Sequence, residues 1–185
     1  MNGEIRWRSS QNRWCLVTDQ STPTLILEAV VKALIASVTT VSLSASTCYP
    51  VIQPAYIEGQ DPTVLQVWIG GSGPADTAAG KGAQEGGGLL RKMQVGVTVW
   101  RRVLLDKYAN SQIALTEEGT GMNALTAQVM APFKYTYLGG LLFEPMWWSG
   151  DTGAQWYDEE AGLIRKDVMY DVSFGEVLPT TLTLT

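Results

Sequence analysis

The residues of this chain that could do chemistry are few, and each fails a test of type or spacing. Lys81 stands in a glycine-rich stretch, residues 70–88, GGSGPADTAAGKGAQEGGG, which invites comparison with a phosphate cradle. A Walker loop requires glycine, four residues, then Gly-Lys-Ser/Thr, because backbone amides wrap the phosphates and a hydroxyl reaches magnesium. Here Ala75 occupies the first glycine position ahead of Gly80-Lys81, and Gly82 supplies no hydroxyl. The dinucleotide fingerprint fails too: Gly71-Ser72-Gly73 is followed by Pro74, Ala75 and then Asp76 where the third glycine belongs. No helical pattern follows to offer an N-terminus to a pyrophosphate. Glu117 and Glu118 are adjacent carboxylates, and neighbours in sequence diverge on a strand or a helix, so they cannot flank one reacting bond. Asp158-Glu159-Glu160 reads as a solvated turn, since no further ligand recurs at a coordinating spacing. Histidine is absent, which removes Ser-His-Asp, Cys-His and His-ligated metal chemistry together. Cys15 and Cys48 are too far apart for a CxxC pair, and no disulfide scaffold is indicated. The expectation is a protein that is not an enzyme, with no catalytic residue, metal or cofactor.

Composition narrows the class further. The 185 residues, 45% of them hydrophobic, suffice for one domain with a real core. A net charge of −5 argues against affinity built on neutralising phosphates, so no specific nucleic-acid binding is expected. Arg6, Arg8 and Arg13 interleave with Trp7 and Trp14, a pairing suited either to stacking on bases or, given the acidic whole, to an N-terminal extension (1–20) packed on a neighbouring surface. The N-terminus lacks an apolar signal-peptide core. The nearest approach to a membrane span, residues 25–43, carries Glu28 and Lys32. A soluble protein made in a cytoplasm, without membrane contact, is expected.

The elements that must position any site follow from hydrophobic periodicity. Residues 89–106 are organising: Met93, Val95, Val97 and Val99 alternate with Lys92, Gln94, Thr98 and Trp100, the pattern of a long half-buried strand. Gly96 is a candidate bulge, and the basic pairs Arg91-Lys92 and Arg101-Arg102 bracket the run. Thr22 as cap and Pro23 at the first helical position start an amphipathic helix to about Thr39, with Leu27, Val30, Val31, Leu34 and Val38 inward. Residues 41–60 read as loop with a short extended piece over 51–57, denied a central place by Pro50 and Pro54. A strand over 64–69 follows, and 70–88 reads as a mobile loop. Residues 112–115 form a possible short strand, and Glu117-Glu118 the acidic first turn of a helix over 122–130 that presents Met122, Leu125 and Val129 and stops at Pro132. Residues 135–148 read as extended; with a turn over 149–153 and the return of Gln155-Trp156-Tyr157, a β-hairpin is the simplest account. Val168, Tyr170, Val172 and Phe174 mark a second long strand, 163–174, the natural partner of 93–99. The tail 177–185, ending LPTTLTLT, is uncharged and β-prone, and could add an edge strand to its own subunit or to a neighbour. The domain proper is then 21–176.

This order of helix, short strand, flexible loop, long strand, helix, aromatic hairpin and long strand, ending in RKDVMYDVSF, resembles the tail terminator (tail completion) proteins of long-tailed bacteriophages over roughly residues 20–176. The resemblance implies an α/β (α+β) fold, a mixed or antiparallel β-sheet packed against two main α-helices. It further implies a homohexameric ring in the virion, at the head-tail interface. Such a ring caps the tail tube protein, ends its polymerisation and offers a face to a head-completion or connector protein, while DNA passes through. On that reading the candidate subunit or tube contacts are Gly73, Gly80, Lys81, Gly87, Arg91, Lys92, Arg101, Arg102, Trp147, Trp148, Leu182 and Leu184. Two alternatives stand beside it. One is another connector component, a stopper or tube protein; for a stopper, more strand and less helix is expected. The other is a small-ligand or glycan-binding protein using Trp147, Trp148, Trp156 and Tyr157 as a stacking platform.

Overall fold

In the computed structural model, the residues described are 6–10, 13–17, 21–56, 62–74, 88–103, 115–116, 121–158 and 162–177. The centre is a three-strand antiparallel core of long strands: β4 (Thr63–Pro74), β5 (Gly88–Arg102) and β8 (Leu163–Val177). A short strand, β3 (Cys48–Pro50), joins β4 in parallel, while β6 (Trp147–Asp151) and β7 (Gln155–Asp158) both join β8 antiparallel. The result is a six-stranded mixed sheet of order β3-β4-β5-β8-β6, with β7 also on β8. Helices α1 (Thr22–Ser37) and α2 (Met122–Met130) pack on one face, so the fold is α+β. Ahead of them β1 (Arg6–Ser10) and β2 (Arg13–Val17) pair as a separate antiparallel ribbon where only an extension is expected from sequence. No helix among the described residues is long and apolar enough to cross a membrane.

The pairing of the two long strands follows their periodicity. Met93 faces Val172, Val95 faces Tyr170 and Val97 faces Val168, and all six side chains lie in the main core with Ile26, Val30 and Leu34 of α1 and Leu125 and Val129 of α2. Helix α1 begins one residue before Pro23, with Ser21 as its cap, and ends at Ser37 instead of Thr39. The chain turns extended at Val38, and the Gln128 side-chain oxygen of α2 accepts hydrogen bonds from the Thr39 and Thr40 amides.

Several sequence expectations are corrected. The extended piece expected at 51–57 is the edge strand β3, a few residues earlier, where Pro50 closes its end. The first residues of the expected mobile loop, 70–74, belong to β4; residues 75–87 lie outside the described set. Leu115 and Thr116 are helical, not strand, and Glu117-Glu118 lie outside the described residues. Residues 135–146 are a chain of turns, not an extended run: 3-10 turns occupy Ala131–Phe133 and Leu138–Gly140, and Gly139 and Gly140 have φ of 69° and 90°. That left-handed backbone suits glycine and ends any strand. The expected hairpin is displaced by one strand, because β6 and β7 run in the same direction along one side of β8, and the hairpin is β7–β8.

Gly96 is no bulge. Its register is continuous with Trp68 on β4 and Met169 on β8, and the bulge lies in β4 between Ile69 and Gly71. The glycine is required because the Trp68 indole lies flat across it, so that an added Cβ would fall on the ring. The indole is held there by donating to Thr98 Oγ1 at 3.0 Å. Gly96→Ala is expected to destabilise by about 1–3 kcal/mol through overpacking, read by urea denaturation, and to shift the Trp68 indole N–H resonance.

Candidate functional site

The second face of the sheet, which a half-buried strand would leave to water, is instead partly closed. Val64, Trp100 and Leu163 are buried there as a small separate core, with Tyr49 and Tyr56 against them. Polar groups complete the layer. Trp100 Nε1 donates to Gln66 Oε1 at 2.8 Å, and Gln66 Nε2 donates to the Ala55 carbonyl at 2.7 Å, which seals the loop after β3 over this face. Thr98 donates to Asp167 Oδ1 at 2.7 Å, and Arg165 grips both oxygens of Asp167. The Arg165 guanidinium also lies 5.4 Å from the Trp100 ring centre. Thr152, Gln155, Tyr157, Arg165 and Asp167 line a polar hollow of about 250 Å³ beside this network. Its charged groups are already matched to each other, so the arrangement is one of structural closure with no free acid or base.

A larger concavity lies on the helical side. The end of α2, the turns after it and β6 enclose an open apolar groove of about 460 Å³, walled by Met130, Phe133, Tyr135, Met146, Trp148 and Tyr170. Tyr170 stands edge-on to Phe133 at 5.3 Å and donates its hydroxyl to the Val129 carbonyl, fixing the groove floor. Burial pushes the Tyr170 hydroxyl pKa above its ordinary value, so it is no acid at neutral pH. Around the rim, Tyr135, Trp147 and Trp148 are 67%, 60% and 48% exposed. Tyr135 and Leu138 adopt positive φ (57° and 46°), a costly backbone for such side chains. Strand β6, the last of the sheet among the described residues, contributes Trp147 and Trp148 to the groove.

Of the residues singled out from sequence, Trp147 and Trp148 lie at this groove. The two basic pairs do not meet each other. Arg91 donates to Ser72 at 2.7 Å and lies over Phe174, Lys92 stands exposed opposite Gly73, and Arg101 and Arg102 sit at the far end of the same strand, Arg102 over Tyr56. Gly80, Lys81, Gly87, Leu182 and Leu184 lie outside the described residues. The four-residue aromatic platform is divided, because Trp156 packs against the main core and Tyr157 sets its edge on Trp100 at 4.9 Å, whereas Trp147 and Trp148 line the groove. Tyr135, Met130 and Met146 were missed as site residues; Gly139-Gly140 was the signal that residues 135–146 turn back and leave aromatics outside. Among the described residues no cluster of His, Cys, Asp or Glu could hold a metal.

Cys48 is buried in β3, and burial pushes its thiol pKa from the ordinary 9.0 up to about 12. With Cys15 replaced by serine, Cys48 is expected to resist iodoacetamide at pH 8 until urea unfolds the chain, because the thiolate is the reactive form. The sign for stability follows: a raised pKa contributes fully below about pH 9 and is lost as pH climbs toward 12, with Tyr170 acting in the same direction.

The fold and the site define an α+β protein with a one-sided helical layer and, among the described residues, an open apolar groove beside the end strand of the sheet. Comparison with protein families and with curated protein sequences found no match to this chain.

Proposed function

We propose that this chain is a structural component of a phage tail of the terminator type: a homohexameric ring at the head-tail interface that caps the tail tube and ends its polymerisation. The carrying observation is the concentration of Tyr135, Trp147 and Trp148, all well exposed, at one groove beside the end strand of the described sheet. Large exposed aromatics gathered in one place are characteristic of surfaces that bury against another protein. The α+β architecture agrees with the one the resemblance implies. The excess of Asp and Glu, net −5, suits a channel that must not hold DNA. A second reading, a stopper or tube protein, draws on strand that the sequence pattern does not place: the β1–β2 ribbon and the extensions of β4 to Pro74 and of β8 to Val177.

Solution mass and negative-stain images of the purified chain, alone and mixed with tail tubes, test the proposal. Rings, or monomers that become rings on tube ends, are the expected result. Incorporation along the tube would favour the tube reading, and a monomer that ignores tube ends would overturn both.

A further inference from the structure

The outer side of β6 is the end of the sheet, and among the described residues no strand pairs with it. An unpaired edge flanked by an apolar groove is a template for strand addition, in which main-chain hydrogen bonds supply affinity and the groove reads alternate side chains. The chain also holds a segment of matching chemistry: residues 178–185, LPTTLTLT, carry no charged side chain and place Leu182 and Leu184 on one face with threonines on the other.

The segment cannot seat both leucines in its own subunit. Trp147 lies opposite Asp171, and Val177 is six positions further along β8, pointing away from β6. That separation is roughly 20 Å along the strand at about 3.3 Å per residue. Leu182, five residues beyond Val177, reaches at most about 18 Å even fully extended. Two strand spacings, about 10 Å, must also be crossed sideways. Leu182 therefore falls short of the groove in the same copy, and Leu184, seven residues on, reaches it only at full extension, about 25 Å, so one copy cannot seat both leucines, whereas a neighbour's tail faces no such limit.

We propose that residues 178–185 of a second copy add to the outer edge of β6 as a further strand, with Leu182 and Leu184 seated in the groove against Met130, Tyr135, Met146 and Trp148. This deepens the ring reading and rests on it for the second copy. Each subunit then gives one strand and receives one, a head-to-tail contact of the kind that closes a ring.

A chain ending at Val177 retains every strand and helix described above, so it is expected to keep a folded far-UV spectrum and a cooperative unfolding transition while running as a monomer. A synthetic peptide of residues 178–185 should bind this shortened chain saturably, with a change in tryptophan emission. Replacing Leu182 and Leu184 of the peptide by asparagine should weaken binding by roughly tenfold per leucine, and Trp148→Ala in the protein should abolish most of the emission change. A shortened chain that assembles as the full chain does, or a peptide that never binds, would overturn strand donation even where the full chain still caps tube ends. Peptide binding with lost assembly, in a full chain that ignores tube ends, would uphold strand donation and reject the terminator reading.

Discussion

Replacing Trp100 by alanine is expected to lower the unfolding free energy by about 3–5 kcal/mol, the range for truncating a buried tryptophan. Trp100 is fully buried although it lies on the face of β5 turned away from both helices. Its ring meets Tyr157 edge-on at 4.9 Å and Tyr56 at 5.9 Å, and Arg165 lies over it. Truncation would open a cavity between Val64 and Leu163 and remove the donor to Gln66. Gln66 Oε1 keeps the Ala55 amide at 3.0 Å, so no buried acceptor is orphaned and the loss falls within that range rather than above it. Trp100→Phe should recover about half, since the ring contacts survive in part. Urea denaturation followed by circular dichroism measures both. A loss below about 1 kcal/mol for the alanine variant would mean that the second face is not a true core.

Asp167→Ala is the second large effect expected, a loss of about 3 kcal/mol. The carboxylate accepts from Thr98 at 2.7 Å and from Arg165 at 3.1 and 2.8 Å. Its removal would strand a guanidinium against Trp100 and leave the Thr98 hydroxyl without its acceptor. Breaking one side of a fully buried pair costs about 3–5 kcal/mol. The lower end applies here because the Arg165 side chain is 31% exposed and water screens it. Asp167→Asn should lose only about 1–1.5 kcal/mol, since an amide oxygen still accepts from Thr98 or Arg165. In a double-mutant cycle, Arg165→Ala in the Asp167→Ala background should cost much less than in the wild type, with a coupling of about 0.5–3 kcal/mol. Strict additivity would show that the pair is ornamental to stability.

Much of the fold was legible because periodicity reports which side of an element is buried. The alternation through Met93, Val95, Val97 and Val99, and that through Val168, Tyr170, Val172 and Phe174, marked the inner face of the two longest strands, and their pairing followed. Helix α2 was readable to the residue, since Met122, Leu125 and Val129 recur at helical spacing and Pro132 follows. The turns over 135–146 were not legible in the same way. Their side chains, TYLGGLLFEP, resemble a strand in composition, and only the backbone at Tyr135, Leu138, Gly139 and Gly140 shows that the chain coils back.

The candidate site was half visible. Trp147 and Trp148 stood out as an aromatic pair, but their separation from Trp156 and Tyr157 depends on β6 and β7 lying in line along β8 instead of folding back on each other. By itself the sequence determined the inner faces of the long strands, the two amphipathic helices and the scarcity of catalytic side chains, because these are properties of residue type and local period. Only the tertiary structure decided that the outer face of β5 is closed, that β6 is the end of the sheet and that a groove opens beside it. Those outcomes rest on pairs such as Thr98 with Asp167, 69 residues apart, and no local period encodes which distant residue will arrive to cover a face or leave an edge open.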